Sequence, residues 1–181
     1  MSTLSERIRK RRRQLLELVI FAMMAALMIA SKKLMELLPN IHLVGTFVIL
    51  LTILFRAKAL IPIYVYVFLD GLLGGFSMWW YPYLYIWAVL WALAMLIPRN
   101  IPRRLAAVLY PTMCALHGFT FGIVYAPAQA LMFGMDAEQM LAWIISGIPF
   151  DIIHGVSNIF TGMLVLPLVE LVQRMMKRYE A

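Results

Sequence analysis

Residues 41–55 read IHLVGTFVILLTILF. The run is apolar throughout but short, because a membrane-crossing helix usually needs roughly 17–25 residues. Whether it crosses decides on which side every later segment emerges. Arg56 and Lys58 follow it at once, and Arg99, Arg103 and Arg104 lie further along. If the run crosses, those basic residues share a side with the N-terminus. If it does not, they stand on the opposite side.

The surrounding composition sets the class. The chain has 181 residues, 64% of them hydrophobic and only 14% charged, against about 25% charged in an ordinary soluble domain. This predicts an all-α integral membrane protein in a single bundle. Five more apolar runs flank the first one, at 15–38, 59–76, 82–97, 105–133 and 140–172. Pro39 and Asn40 close the run before it, and Pro82 suits a helix start. The last two runs exceed one span and contain Gly and Pro, so tilting, kinking or extension past the bilayer is expected.

Charge decides the number of spans. With six spans and the N-terminus inside, all but two of the 16 Lys and Arg face the cytoplasm, the exceptions being Lys32 and Lys33. Without the 41–55 span, Arg56, Lys58 and the 99–104 cluster move outside. Positive charge concentrates on the inner side. The sequence therefore predicts a six-transmembrane-helix bundle with both termini cytoplasmic. Residues 1–14 form a basic cytoplasmic arm, 15–173 a transmembrane substrate-binding domain, and 174–181 a basic cytoplasmic tail. The net charge of +7 is read as orientation in the bilayer, with no nucleic-acid partner. The single cysteine, Cys114, excludes an internal disulfide.

Polar residues inside the apolar runs mark a site. Residues 147–158, GIPFDIIHGVSN, carry Asp151, His154, Ser157 and Asn158. On a helix, Asp151, His154 and Asn158 fall within about 60° of one another. A charged group at mid-bilayer costs roughly 2.5–3.5 kcal/mol on insertion scales, so such a stripe faces a partner, a cavity or a ligand. The predicted orientation puts Asp70, His117, Tyr125, Gln129, Asp151 and His154 in the outer half or at mid-depth, with Asn158 near the middle. Trp80, Tyr83, Trp87 and Trp91 share one helical face, and Trp87 and Trp91 run deeper than an interfacial belt requires. The inner halves are almost wholly apolar. The expectation is a pocket open outward and sealed below, without the through-going polar path of a channel.

Each residue also has a plainer reading. Asp151 and His154 could bond each other or a neighbouring helix, Asp70 could pair with Lys32 or Lys33, and His117 could be a core histidine. His42, His117, His154, Asp70 and Asp151 are all metal-ligand types, yet no HxxxH or HxH spacing pairs two imidazoles, so no metal site is expected. GxSxG, HExxH and Walker A patterns are absent, so neither hydrolytic chemistry nor nucleotide binding is expected, and no cofactor.

The first span contains FAMMAALMIA, with Ala22, Ala26 and Ala30 at i, i+4 and i+8. Small residues at that spacing let a second helix approach closely in lipid. With this stripe, six short spans, about 180 residues, and the PNIHLVGTF and WWYPYLYIW stretches, residues 15–172 resemble the substrate-binding S component of energy-coupling factor (ECF) transporters. The resemblance implies a non-enzymatic binding subunit in a prokaryotic cell membrane that captures a vitamin-like molecule on its outer side. It implies docking of Ala22, Ala26 and Ala30 on a transmembrane coupling subunit driven by two ATPases. It also implies a gating loop at Pro39, Asn40, Ile41 and His42 over the site. Metal-specific members carry a histidine after the initiator methionine, where this chain has Ser2. The substrate-binding set is then Asp70, Trp80, Tyr83, Trp87, His117, Tyr125, Gln129, Asp151, His154 and Asn158. With its carboxylates, amides and aromatic faces, it favours a neutral or cationic nitrogen heterocycle. The alternatives are an integral-membrane enzyme using Asp151 and His154 as acid and base, and a non-catalytic membrane assembly protein.

Overall fold

The computed structural model describes residues 4–38 and 40–180, so Pro39 of the expected gating loop lies outside it. All regular structure among the described residues is helical. Four helical stretches are long and apolar enough to cross a membrane: Glu6–Leu34, Val44–Gly74, Arg103–Phe133 and Ala137–Arg178. Tyr83–Met95 is a shorter apolar helix.

Helix α1 (Leu4–Leu34) takes in most of the basic arm as well as the first apolar run. At 1.5 Å per residue it is about 46 Å long, more than the hydrocarbon thickness of roughly 30 Å. Helix α2 (Val44–Phe55) is about 18 Å long and is buried on every side except at Ile53 and Leu54. A helix that is apolar all round belongs in a core. Here α2 is the central post, packed against α1 and against the helices Tyr83–Met95, Arg103–Phe119, Ala137–Gly162 and Val165–Glu180.

Val44–Gly74 is not one straight rod. Arg56 has φ +54°, a 3-10 turn spans Arg56–Ala59, and α3 (Leu60–Gly74) follows. Lys58 Nζ lies 2.5 Å from Glu17, near the start of the apolar half of α1, and Lys32, near its end, lies 2.5 Å from Asp70 on α3. Helices α1 and α3 are therefore parallel. Phe55 at the end of α2 meets Phe21 edge-on at 4.9 Å, so α2 runs against both. The chain reverses at Arg56. The Arg56 guanidinium donates to the carbonyls of Met95 and Ile97, and Trp91 Nε1 donates back to the Arg56 carbonyl at 3.1 Å. These bonds tie the turn to the end of α4 (Tyr83–Met95).

The two long final runs each break. Helices α5 (Arg103–Phe119) and α6 (Phe121–Phe133) part at Thr120, and α7 (Ala137–Gly162) and α8 (Val165–Glu180) at Met163 and Leu164. Asp136 caps α7 reciprocally with Gln139, which satisfies two N–H groups a helix start otherwise leaves open. The residues expected as a separate tail continue α8 up to Glu180.

Helices α5 and α7 lie almost backbone to backbone. A Cβ on Gly118 would sit 2.8 Å from the Gly155 backbone, and one on Gly162 would sit 2.7 Å from Pro111 Cα. This contact sets His117, next to Gly118, across from His154, next to Gly155.

Candidate functional site

Four nitrogen-bearing rings close a circuit beneath the loop that joins α1 to α2. Trp87 comes from α4, His117 from α5, His154 from α7 and His42 from the loop itself. Ring centroids are 5.9 Å apart for His42 and Trp87, and 5.5 Å for Trp87 and His117. They are 6.4 Å apart for His117 and His154, and 4.8 Å for His154 and His42. Phe121, at the start of α6, touches Trp87, His117 and His154 at 6.3, 5.8 and 5.0 Å. Each ring of the circuit holds a buried nitrogen without a hydrogen-bond partner: His42 Nδ1, Trp87 Nε1, His117 Nε2 and His154 Nε2. Unpaired buried polar atoms are rare because each costs about 1–3 kcal/mol. These four lie on adjoining rings, and no protein group completes their bonding.

A cavity of about 200 Å³ opens against His42 and His154, while Trp87 and His117 do not line it. Lys32, Tyr83, Phe121, His42 and His154 form its walls, and the loop residues Met35, Glu36, Leu38, Asn40 and Ile41 form its roof. Asn40 holds a positive φ of 60°, a conformation Asn tolerates better than most residues. The Ser157 hydroxyl lies 3.2 Å from its carbonyl and 2.9 Å from the His154 carbonyl, so one proton is shared between the loop and α7. His42 lies outside the helices; burial first, then the neighbouring His154, Lys32 and His117, hold its imidazole well below the ordinary value.

Lys32 is the cation at the cavity. Its ammonium meets Asp70 and also lies 5.1 Å from the Trp79 ring and 4.8 Å from the Tyr83 ring. Lys33 turns the other way, to Glu36 at 3.1 Å. Asp70 is thus matched by Lys32, the plainer of its two readings. Neither Lys32 nor Phe121 belonged to the expected binding set. A lysine stem that begins on a helix flank is hard to orient from sequence, and Phe121 looks like any apolar residue beside Thr120.

The remaining expected residues divide. Tyr83 reaches the cavity and meets Trp87 edge-on at 5.8 Å. Trp80 stands beside it, donating its indole N–H to the Val67 carbonyl at 2.8 Å. Tyr125 donates to the Trp79 carbonyl at 3.1 Å and stacks on Trp143 at 5.7 Å. Asn158 is fully buried and donates to the Cys114 carbonyl at 3.0 Å, which ties α7 to α5. Asp151 does not line the cavity. Both its oxygens accept the Gly122 N–H, at 3.1 and 3.0 Å, where α6 starts with open N–H groups and a positive dipole end. Gln129 is half-buried near the far end of α6 and also lies off the cavity. The physical reason is the break at Thr120, which leaves the Gly122 N–H at the start of α6 for Asp151 to accept.

On α1 the alanine stripe points outward. Ala22, Ala26 and Ala30 are exposed, while Phe21, Ala25 and Met28 on the opposite face are buried. Among the described residues, no group of three or more His, Cys, Asp or Glu is arranged to hold a metal ion. The chain matches no family model, and neither a curated protein nor a solved structure matches it.

Proposed function

We propose that the chain is the substrate-binding subunit, the S component, of an ECF-type importer in a prokaryotic cell membrane. It crosses six times with both termini cytoplasmic. It captures a small vitamin-like nitrogen heterocycle from outside and passes it on by docking Ala22, Ala26 and Ala30 against a transmembrane coupling subunit driven by two ATPases.

The observation that carries this reading is the circuit of four rings with unpaired nitrogens directly under a loop-roofed cavity. Supporting it, the chain reversal at Arg56 puts Arg56 and Lys58 at the end of the molecule where Glu17 and the basic half of α1 begin. That matches the side to which the charge distribution assigns them. The exposed small-residue face on α1 leaves room for a partner helix. The alternative of an enzyme pairing Asp151 with His154 draws no support from the site, since Asp151 is bonded to Gly122.

The test separates capture from transport. The purified chain, free of ATPase subunits, should bind its substrate without turning it over. Ala26→Trp should keep that affinity while cellular uptake falls to background. Conversion of the bound molecule by the chain alone would point to an enzyme, and equal loss of binding and uptake in Ala26→Trp would place the stripe inside the bundle.

A further inference from the structure

We infer that α1 is ringed near its N-terminal end by anionic phospholipid headgroups, bound through Arg9, Lys10, Arg11 and Arg12. This lipid role is independent of the capture role proposed above. All four side chains are exposed, and among the described residues no carboxylate pairs with any of them. Glu17, the next acid along α1, already holds Lys58 at 2.5 Å and Arg13 at 3.7 Å. On α8, Glu170 holds Arg103 at 2.8 Å and Arg174 at 3.5 Å. Like charges three or four residues apart on a helix repel, as Arg9 does with Arg12 and Arg13. Cations near a helix N-terminus also oppose its dipole. A helix formed by this segment therefore calls for anions from outside the chain.

Depth and direction select lipid as the source of those anions. Residues 15–34 of α1 run about 30 Å, which matches the hydrocarbon thickness of a bilayer. Arg12 and Arg9 then lie about 4 and 9 Å outside the hydrocarbon. The headgroup layer is roughly 5–7 Å deep on each side, so the four long side chains are level with it. Successive residues turn by about 100° around the axis, and the four cations point to four sides of the helix. A protein face or a nucleic-acid strand approaches from one side and leaves the other cations unmatched. Lipids surround a membrane helix, so each bordering headgroup meets a cation. Basic segments beside a span attract anionic lipid on this principle. Such anchoring fixes the depth of α1, and with it the depth of the exposed Ala22, Ala26 and Ala30 face.

Spin-labelled lipids test this on the full chain reconstituted in phosphatidylcholine vesicles. Electron paramagnetic resonance reads the fraction of each labelled lipid immobilised on the protein. Phosphatidylglycerol should associate at least about twofold more strongly than phosphatidylcholine. Salt at about 1 M, where the screening length is about 3 Å, should remove the preference. The combined Arg9→Gln, Lys10→Gln, Arg11→Gln and Arg12→Gln variant should lose it too. Arg99→Gln with Arg104→Gln and Lys177→Gln, which removes cations elsewhere, should keep it. If the fourfold variant does not insert, Arg9→Gln with Arg12→Gln takes its place, and the preference should at least halve. Equal association of the two lipids with the unaltered chain, a preference that survives salt, or full preference in an inserted α1 variant would overturn the proposal. So would loss of the preference in the Arg99, Arg104 and Lys177 variant alone, or binding of RNA or polyglutamate by the basic segment in place of lipid selectivity.

Discussion

Asp70 and Lys32 show how one pair can serve packing and site together. Asp70 is buried and Lys32 partly so, with the ammonium resting between two aromatic rings. Breaking such a pair from one side leaves an uncompensated charge, which typically costs about 3–5 kcal/mol. Asp70→Asn should therefore lower stability by about 3 kcal/mol in detergent unfolding, and Lys32→Met combined with Asp70→Leu should recover most of it. If the single and double variants unfold alike, the pair is not coupled. Asp151 makes the opposite case. As a partner of the Gly122 N–H it contributes about 1 kcal/mol in the manner of a helix cap, so Asp151→Ala should cost that much stability and leave ligand affinity within twofold. His117, His154, Trp87 and His42 were legible in the sequence because they are polar or deep-lying groups in or beside apolar runs. The direction of Asp151 was not, since it depends on an N–H exposed by a helix break thirty or so residues away. The inward turn of Lys32 over Lys33 was not either, because it is selected by Asp70 on another helix.

Among the elements, α5 and α7 hold the site together. Their backbones meet at Gly118 and Gly155, one residue from His117 and His154. Overpacking a tight contact costs about 1–3 kcal/mol, and here it would also spread the two imidazoles. Gly118→Val should lower the unfolding temperature and abolish binding, whereas Gly147→Ala, which meets open space, should change neither. The small residues Cys114, Gly118 and Gly122, spaced by four, are a sequence signal for this contact. The stripe that stood out instead was Ala22, Ala26 and Ala30, and it lies on the free face of α1. The short run at 41–55 became α2, whose length makes sense once it is seen as the buried post about which the other helices pack. The breaks at Thr120 and at Met163–Leu164 had only the excess length of their runs to announce them.

For the whole molecule, the claims are orientation and capture. The proposed orientation rests on the charge distribution and on the reversal at Arg56. Single cysteines introduced at positions 57 and 100, in a background where Cys114 is replaced, should react with a membrane-impermeant maleimide only after the cells are opened. Reaction of either in intact cells would remove the six-span arrangement and the outward-facing cavity with it. Capture is tested most directly by native mass spectrometry of the full-length chain released gently from membranes of its own host. The expected spectrum shows one organic molecule of small mass per chain, lost in the His154→Gln variant that still folds. A chain that carries no small molecule, or whose His154→Gln form holds the same molecule to the same extent, would contradict the proposal that the four-ring circuit is a substrate site.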